Sequence, residues 1–210
     1  MSRPGARAAV GRIDGRDACA ACAKTGVPSY MLAILALHLS LAMTTAPLPD
    51  VTLFDFTADT SPDAWRVQDD VVMGGRSAGH FALTSEGHAR FHGEVSLANN
   101  GGFSSIVHAL DGPVAVGAAK AFRLRVRGDG STYTFRVKSD PAQRYYHEAE
   151  FATGGSWEVV EVPFAELRPV HHGEPVDAPA YVGGPVTNLQ LLIGNGREQS
   201  FELLVDWIGT

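Results

Sequence analysis

Short stretches in which apolar and polar residues alternate dominate the sequence from about residue 52 onward. Because successive side chains of a β-strand point to opposite faces, such stretches predict strands with one buried and one solvated face. No long stretch shows apolar residues at helical spacing. The sequence therefore predicts an all-β fold, an antiparallel β-sandwich or jelly roll. The clearest apolar series are Phe122, Leu124 and Val126, then Tyr133, Phe135 and Val137, and finally Phe201, Leu203, Val205 and Trp207.

Turn-forming residues separate these stretches from further short apolar segments. Strands are predicted at 53–56, 65–70, 80–83, 89–95, 103–110, 145–151, 157–162 and 189–193. The glycine-containing segment 128–131 predicts a turn that joins strands 122–126 and 133–137 into a hairpin. The Pro- and Gly-rich segment 169–185 is expected to be a long surface loop, with a single helical turn before it at 164–167.

A hairpin of this kind would bring several basic side chains to one face of its sheet. Such a stripe either docks an acidic partner or is a solvated face balanced by acidic residues on neighbouring strands. The tryptophans Trp65, Trp157 and Trp207 are expected in the core or at its rim. The basic side chains are Arg123, Arg125, Arg127, Arg136 and Lys138.

Composition excludes several classes of protein. The chain has 210 residues and a formal net charge of −6, so it lacks the excess of Lys and Arg that a nucleic-acid-binding protein needs. Its only cysteines are Cys19 and Cys22. A domain beginning near residue 52 therefore has neither a disulfide nor a thiol nucleophile. A CxxC pair with no second ligand pair is weak support for a zinc site.

Residues 1–51 are interpreted as a leader and linker that precede a single domain at 52–210. An apolar run at 31–43 is too short for a stable transmembrane span, which needs about 20 residues. It resembles the apolar region of a signal peptide, and small residues follow it. The sequence slightly favours export to the periplasm over a cytoplasmic location; the alternative is a non-native or disordered leader.

Three polar segments contain the residues most suited to recognition. Their glycines and asparagines expose backbone groups, and their carboxylates and amides accept or donate hydrogen bonds. Each segment is either a ligand-binding loop or a tight turn whose side chains cap its own amides. The candidate residues are Asp69, Asp70, Met73, Gly74, Gly75 and Ser77 in the first segment, Asn99, Asn100, Gly101, Gly102 and Ser104 in the second, and Asp129 in the third.

These segments occur in an order that resembles the complex I intermediate-associated protein 30 family. The resemblance spans about residues 52–210 and includes the opening Leu53–Phe56 and the closing Val205–Ile208. It implies a galactose-binding-like β-sandwich. It also implies a relationship to assembly chaperones of NADH:ubiquinone oxidoreductase, with respiratory complex subunits as partners.

No catalytic, metal or cofactor site is predicted. No histidine stands near Ser104 in a motif that would activate it. His88 and His92 would lie roughly 13 Å apart on a strand, too far to share one ion. The remaining enzymatic hypothesis is a hydrolase that uses Asp70 and Asp129, because adjacent carboxylates such as Asp69 and Asp70 point to opposite faces.

The leading hypothesis is therefore a non-catalytic, chaperone-like domain that binds a protein partner. The alternative is a periplasmic carbohydrate-binding module, because the implied fold and the asparagine-rich loop suit sugar hydroxyls as well as a peptide backbone.

Overall fold

Within residues 49–210, the alternation in the sequence becomes thirteen short strands. The computed structural model describes this range, apart from the side chains of Val72 and Met73. The strands are β1 (Thr52–Asp55), β2 (Arg66–Asp69), β3 (Ala78–Leu83), β4 (Ala89–Val95), β5 (Ser104–Val114), β6 (Ala121–Arg127), β7 (Thr132–Lys138), β8 (Tyr146–Ala152), β9 (Glu158–Pro163), β10 (Arg168–His171), β11 (Glu174–Pro175), β12 (Val186–Ile193) and β13 (Gln199–Gly209). Four single-turn 3-10 helices are also described: Pro62–Ala64, Asp70–Met73, Ala98–Asn100 and Phe164–Glu166.

The strands form two antiparallel sheets. The six-stranded sheet has the order β3-β4-β13-β6-β9, with β1 also paired to β13. The seven-stranded sheet has the order β11-β10-β8-β7-β12-β5-β2. All the strand pairs described are antiparallel, which confirms the predicted antiparallel β-sandwich.

The core lies between the two sheets and is built by the apolar half of each alternating strand. Phe122 of β6 packs on Phe135 of β7 with ring centroids 5.2 Å apart, so the two layers are in direct contact. Phe91 and Phe201 make a second aromatic pair in the six-stranded layer, at 4.7 Å. Apolar contact of this kind supplies most of the stability of a sandwich, at about 25 cal/mol per Å² of apolar area buried.

The predicted hairpin of β6 and β7 is wrong. β6 pairs with β13 and β9, whereas β7 pairs with β8 and β12, so the 128–131 connection crosses from one sheet to the other. The physical reason lies in the apolar faces of the two strands, which face each other across the core instead of lying side by side. Gly128 makes this crossing possible, because a Cβ there would lie 2.0 Å from Oγ1 of Thr153.

The crossing also separates the basic residues that were expected to share a face. Arg123, Arg125 and Arg127 lie on the outer face of the six-stranded sheet, whereas Arg136 and Lys138 lie on the outer face of the seven-stranded sheet. Acidic neighbours balance several of them: Arg125 pairs with Asp206 and Arg136 pairs with Glu148. A single basic stripe is therefore absent from the described part of the chain.

The segment 169–185 is only partly a loop. It contains most of β10 and all of β11, which form a tight hairpin at the edge of the seven-stranded sheet. The turn residues His172 and Gly173 have φ values of 55° and 84°, the left-handed conformations that two-residue hairpin turns require. Strands as short as β10 and β11 are difficult to predict in a segment rich in Pro and Gly, because each of these strands makes only a few hydrogen bonds to its neighbours.

Of the three tryptophans, which were expected in the core or at its rim, only Trp65 lies in the core. A bulge after Val205 shifts the alternation of β13, so that Ile208 enters the core while Trp207 is buried beside Arg125. Trp157 is half-buried on the outer face of the six-stranded sheet, where Arg125 lies 4.9 Å from its ring centroid.

Several predictions fall on residues 1–48, which lie outside the described range: the leader, the apolar run at 31–43 and the Cys19–Cys22 pair. Among the helices described, none has the length and apolar character needed to cross a membrane.

Candidate functional site

The first two candidate segments meet around the carboxylate of Asp70. Asp70 directly follows the strand β2 and begins a 3-10 turn, and it is 3% exposed. Its Oδ1 accepts the backbone N–H of Ser77 at 3.1 Å. Its Oδ2 accepts the Ser77 hydroxyl at 2.6 Å and the backbone N–H groups of Gly102 and Phe103 at 2.6 and 3.2 Å. One carboxylate thus joins the first segment to the second, which is more than 30 residues away in sequence.

These hydrogen bonds also decide the charge of Asp70. Burial by itself raises the pKa of a carboxyl group, because it penalises the charged form. The donors from Ser77, Gly102 and Phe103 outweigh that effect, and the pKa of Asp70 is lowered. The side chain is therefore a stable anion at neutral pH and an acceptor for its own loops, as the capping interpretation predicted.

Asp69 makes a separate set of contacts. Its Oδ1 accepts the Ser104 hydroxyl at 2.5 Å, and its Oδ2 accepts the backbone N–H of Gly79 at 3.1 Å. The two neighbouring carboxylates thus use different partners, as expected for residues that leave a strand on opposite sides. Both are occupied by internal donors.

Glycine and asparagine residues allow the first and second candidate segments to approach each other closely. A Cβ on Gly75 would lie 2.2 Å from Oδ1 of Asp70, and one on Gly101 would lie 2.6 Å from its Oδ2. Asn99 and Asn100 adopt left-handed φ values of 55° and 58°, as asparagine tolerates. The Asn99 side-chain amide donates to the carbonyl of Gly74 at 2.9 Å and so links the loops a second time.

The third candidate residue, Asp129, belongs to a different part of the fold. It lies in the connection that crosses between sheets. Its Oδ1 accepts from the Ser131 N–H and the Tyr133 hydroxyl, and its Oδ2 accepts the Glu202 N–H at 3.0 Å. Asp129 is thus a structural cap and does not join Asp70 in a shared cleft.

We expect Tyr133→Phe to lower the free energy of unfolding by about 1 kcal/mol, the usual contribution of one hydrogen bond. Tyr133 is fully buried, and its hydroxyl donates to Asp129 at 3.2 Å. Urea denaturation measures the change. Tyr145→Phe is the control, since the Tyr145 hydroxyl makes no hydrogen bond within residues 49–210; an equal loss in both variants would contradict the role given to Asp129.

A cleft of about 750 Å³ lies beside the two joined loops, on the outer face of the seven-stranded sheet. The loops form one wall, to which the candidate residues Asp69, Asp70, Asn100, Gly101 and Gly102 contribute. Leu97 and Phe103 make the same wall partly apolar. The outward residues of β12 form the floor, and β7, β8 and the β10–β11 hairpin form the opposite wall.

The floor contains a buried amide with an unused acceptor. Gln190 is 3% exposed, and its Nε2 donates to the Ser105 hydroxyl at 2.9 Å. Ser105 in turn donates to the carbonyl of Gln68 at 2.8 Å. Within the described residues, Oε1 of Gln190 has no hydrogen-bond partner. A buried acceptor without a partner costs about 1–3 kcal/mol, so a turn of the Gln190 side chain that brought Oε1 to a donor in the cleft would be stabilised.

The wall opposite the loops is basic and aromatic. Nε of Arg136 pairs with Oε2 of Glu148 at 2.5 Å. Tyr146 lies on the same wall, and Nζ of Lys138 is 4.6 Å from the centroid of the Tyr146 ring. Burial lowers the pKa of Lys138 and raises that of Tyr146. Arg144, His171 and His172 complete this wall, and the two imidazole rings have centroids 4.1 Å apart.

The cleft contains some of the predicted residues and several that sequence analysis missed. Gly74, Gly75, Ser77, Asn99 and Ser104 join the loops but do not line the cleft. The side chain of Met73 is outside the described part. The alternation of β7 predicts which of its side chains point outward, but it does not predict that β7 lies between β8 and β12. Arg136 was named in the predicted basic stripe but not for this cleft; the lining residues that sequence analysis missed are Arg144, Tyr146, His171, His172 and Gln190.

Solved structures with the same fold include carbohydrate-binding modules. The family 11 carbohydrate-binding module of the cellulase Lic26A-Cel5E from Clostridium thermocellum superposes with a TM-score of 0.56 at 12% identity, covering 78% of this chain and 97% of the module. A complex of the Clostridium thermocellum family 11 module with a β-1,3-1,4-mixed-linked tetrasaccharide superposes with a TM-score of 0.55 at 13% identity, covering 78% and 96%. At this identity the likeness concerns the fold alone.

The sequence comparisons identify the family. An uncharacterized protein of Schizosaccharomyces pombe is 28% identical over 176 residues, covering 70% of this chain and 80% of the yeast protein. The family model described as complex I intermediate-associated protein 30 matches residues 54–205. That range begins in β1, ends in β13 and includes both loops that meet at Asp70. The chain therefore belongs to the complex I intermediate-associated protein 30 family.

Proposed function

We propose that this domain is a non-catalytic recognition domain of the assembly-factor type, which binds a protein partner through the cleft on its seven-stranded sheet. Subunits of a respiratory complex are the candidate partners, since family membership relates the chain to complex I assembly factors. The observation that supports this function is the cleft itself, a concave surface of about 750 Å³ with apolar, amide and charged groups on a firmly hydrogen-bonded scaffold.

The chemistry of the cleft favours binding over reaction. Its two carboxylates accept hydrogen bonds from their own loops, so neither is free to act as a base or nucleophile. The remaining lining groups are amide, guanidinium, imidazole, phenol and apolar side chains, which suit recognition of a polypeptide.

Photocrosslinking from the cleft tests this proposal. Leu97 lines the cleft and is 42% exposed, whereas Val182 is 85% exposed and does not line it. With p-benzoylphenylalanine at either position in the full-length protein, expressed in its native cells, we expect a respiratory-complex subunit among the Leu97 adducts but not the Val182 adducts. Identification of adducts by mass spectrometry decides the matter. Identical adducts from both positions would contradict a cleft-specific partner.

A carbohydrate ligand is the second candidate function. The shared fold with family 11 carbohydrate-binding modules favours it, as does Tyr146 in the cleft, since an aromatic side chain offers an apolar face to a sugar ring. Affinity electrophoresis in mixed-linked β-glucan separates the two candidates. Retardation of the wild type that Tyr146→Ala abolishes would favour the sugar, and equal mobility with and without glucan would exclude this glucan as the ligand.

A further inference from the structure

The positive charge in the cleft is only partly neutralised by the protein. Arg136 pairs with Glu148, and both side chains are largely buried. Within residues 49–210, no carboxylate lies within 4.0 Å of the charged groups of Lys138, Arg144 or the two histidines His171 and His172. One wall of the cleft thus presents a guanidinium and two imidazoles without an internal counterion.

These groups are close enough to act on one another. Desolvation lowers the pKa of His171, and the positive charges of His172, Arg144 and Lys138 lower it further. The imidazole of His171 is therefore mostly uncharged at neutral pH, and Arg144 supplies positive charge without an internal counterion among the described residues. An anion bound beside Arg144 would be attracted by that charge and would favour protonation of the neighbouring imidazole.

The acidic residues of the facing wall do not supply that anion. Both oxygens of Asp69 and both oxygens of Asp70 already accept hydrogen bonds from Gly79, Ser104, Ser77, Gly102 and Phe103. These donors hold the two carboxylates against the loops. Arg144 and the imidazoles of the opposite wall are therefore available to a ligand.

The rest of the cleft indicates what accompanies the anionic group. Leu97, Phe103 and Leu192 offer apolar contact, and Oε1 of Gln190 would accept an N–H donor if its side chain turned toward the cleft. A peptide supplies all three features, because it combines backbone N–H groups with acidic and apolar side chains. A polyanion such as nucleic acid fits less well, since only a few cations are present and the chain carries a net charge of −6.

We propose that the cleft recognises a peptide segment in which acidic and apolar residues are neighbours, with a carboxylate of that segment bound at the wall formed by Arg144, His171 and His172. This inference rests on the proposed function, because it specifies the partner segment that the same cleft binds.

Fluorescence anisotropy with the full-length protein tests the inference. The probes are two fluorescein-labelled hexapeptides, one alternating leucine with glutamate and one alternating leucine with glutamine. We expect the glutamate peptide to bind at least about tenfold more tightly at low salt, because charge-assisted bonds to guanidinium are stronger than neutral ones. Arg144→Gln should remove most of that difference, whereas Arg123→Gln, on the outer face of the other sheet, should leave it unchanged.

Each contrary result has a distinct meaning. Equal binding of both peptides that Tyr146→Ala abolishes would overturn the acidic specificity and leave the cleft as a peptide-binding site. No binding of either peptide would overturn the inference, and the proposed function would still be judged by the crosslinks from Leu97. Arg144-dependent binding to vesicles containing 30% phosphatidylserine, or to polygalacturonate, without binding to the glutamate peptide, would assign the basic wall to a lipid or an acidic glycan and overturn the peptide.

Discussion

Replacing Asp70 with alanine is expected to lower the free energy of unfolding by about 4 kcal/mol. The truncation leaves several buried N–H donors without an acceptor. The variant loses the only acceptor described for the Gly102 and Phe103 N–H groups at the start of β5 and for the Ser77 N–H ahead of β3. Asp70→Asn should lower the free energy of unfolding by less than Asp70→Ala, because one acceptor oxygen remains. A loss is still expected, because the new NH₂ group would face donors from Ser77, Gly102 or Phe103. Urea denaturation measures both losses.

The same carboxylate gives a pH dependence with a defined sign. The hydrogen bonds keep the pKa of Asp70 in the folded protein below its ordinary value, although burial opposes them. Its contribution is therefore complete above the unfolded-state pKa of about 3.9 and is lost as the pH falls through the folded-state pKa. The stability difference between wild type and Asp70→Asn should stay constant from about pH 7 to pH 5 and shrink below about pH 4.

Asp59→Asn is the control for both measurements, because Asp59 is exposed and lies in a turn before β2. It should change the free energy of unfolding by less than about 0.5 kcal/mol, as for most surface substitutions. If Asp70→Ala were as mild as Asp59→Asn, the carboxylate would not be what joins the two loops.

The sequence was sufficient to predict which face of each strand is buried and which is solvated. Phe122, Leu124 and Val126 point into the core because alternation alone separates them from their arginine neighbours. The partner of each strand was not predictable from the same pattern. A four-residue connection such as 128–131 suits either a hairpin or a crossing between sheets, and the choice depends on which apolar faces meet across the core.

In the candidate site, too, residues with a local structural role were predictable, whereas residues brought together by the order of strands were not. Asp70, Gly75 and Gly101 stood out because their residue types favour capping and close approach, and the structure places them in one network. The basic wall did not stand out. Arg144 lies in a connection between strands, and His171 ends the short strand β10, next to the edge of the sheet. Only the order of strands in the seven-stranded sheet brings these residues to the same cleft.

Replacing Gly75 with alanine should be the second most damaging of these substitutions, at about 2–3 kcal/mol. The new Cβ would lie 2.2 Å from Oδ1 of Asp70 and 2.3 Å from its Cγ, so the carboxylate would have to move. Movement would lengthen or break the hydrogen bonds from Ser77, Gly102 and Phe103. Gly112→Ala is the matched control, because Gly112 also lacks a left-handed φ and no atom lies within 4 Å of its added Cβ.

A double-mutant cycle identifies the cause of the Gly75→Ala loss. If alanine acts by displacing the Asp70 carboxylate, Gly75→Ala should destabilise Asp70→Ala much less than it destabilises the wild type. Truncation removes the two atoms nearest the new Cβ and leaves only the Cβ of residue 70, at 2.8 Å. Additive losses would instead mean that Gly75 is needed for the turn itself. The interaction energy from chemical denaturation of the four proteins therefore tests whether Gly75 serves mainly to make room for the buried carboxylate. That carboxylate in turn holds one wall of the cleft in place.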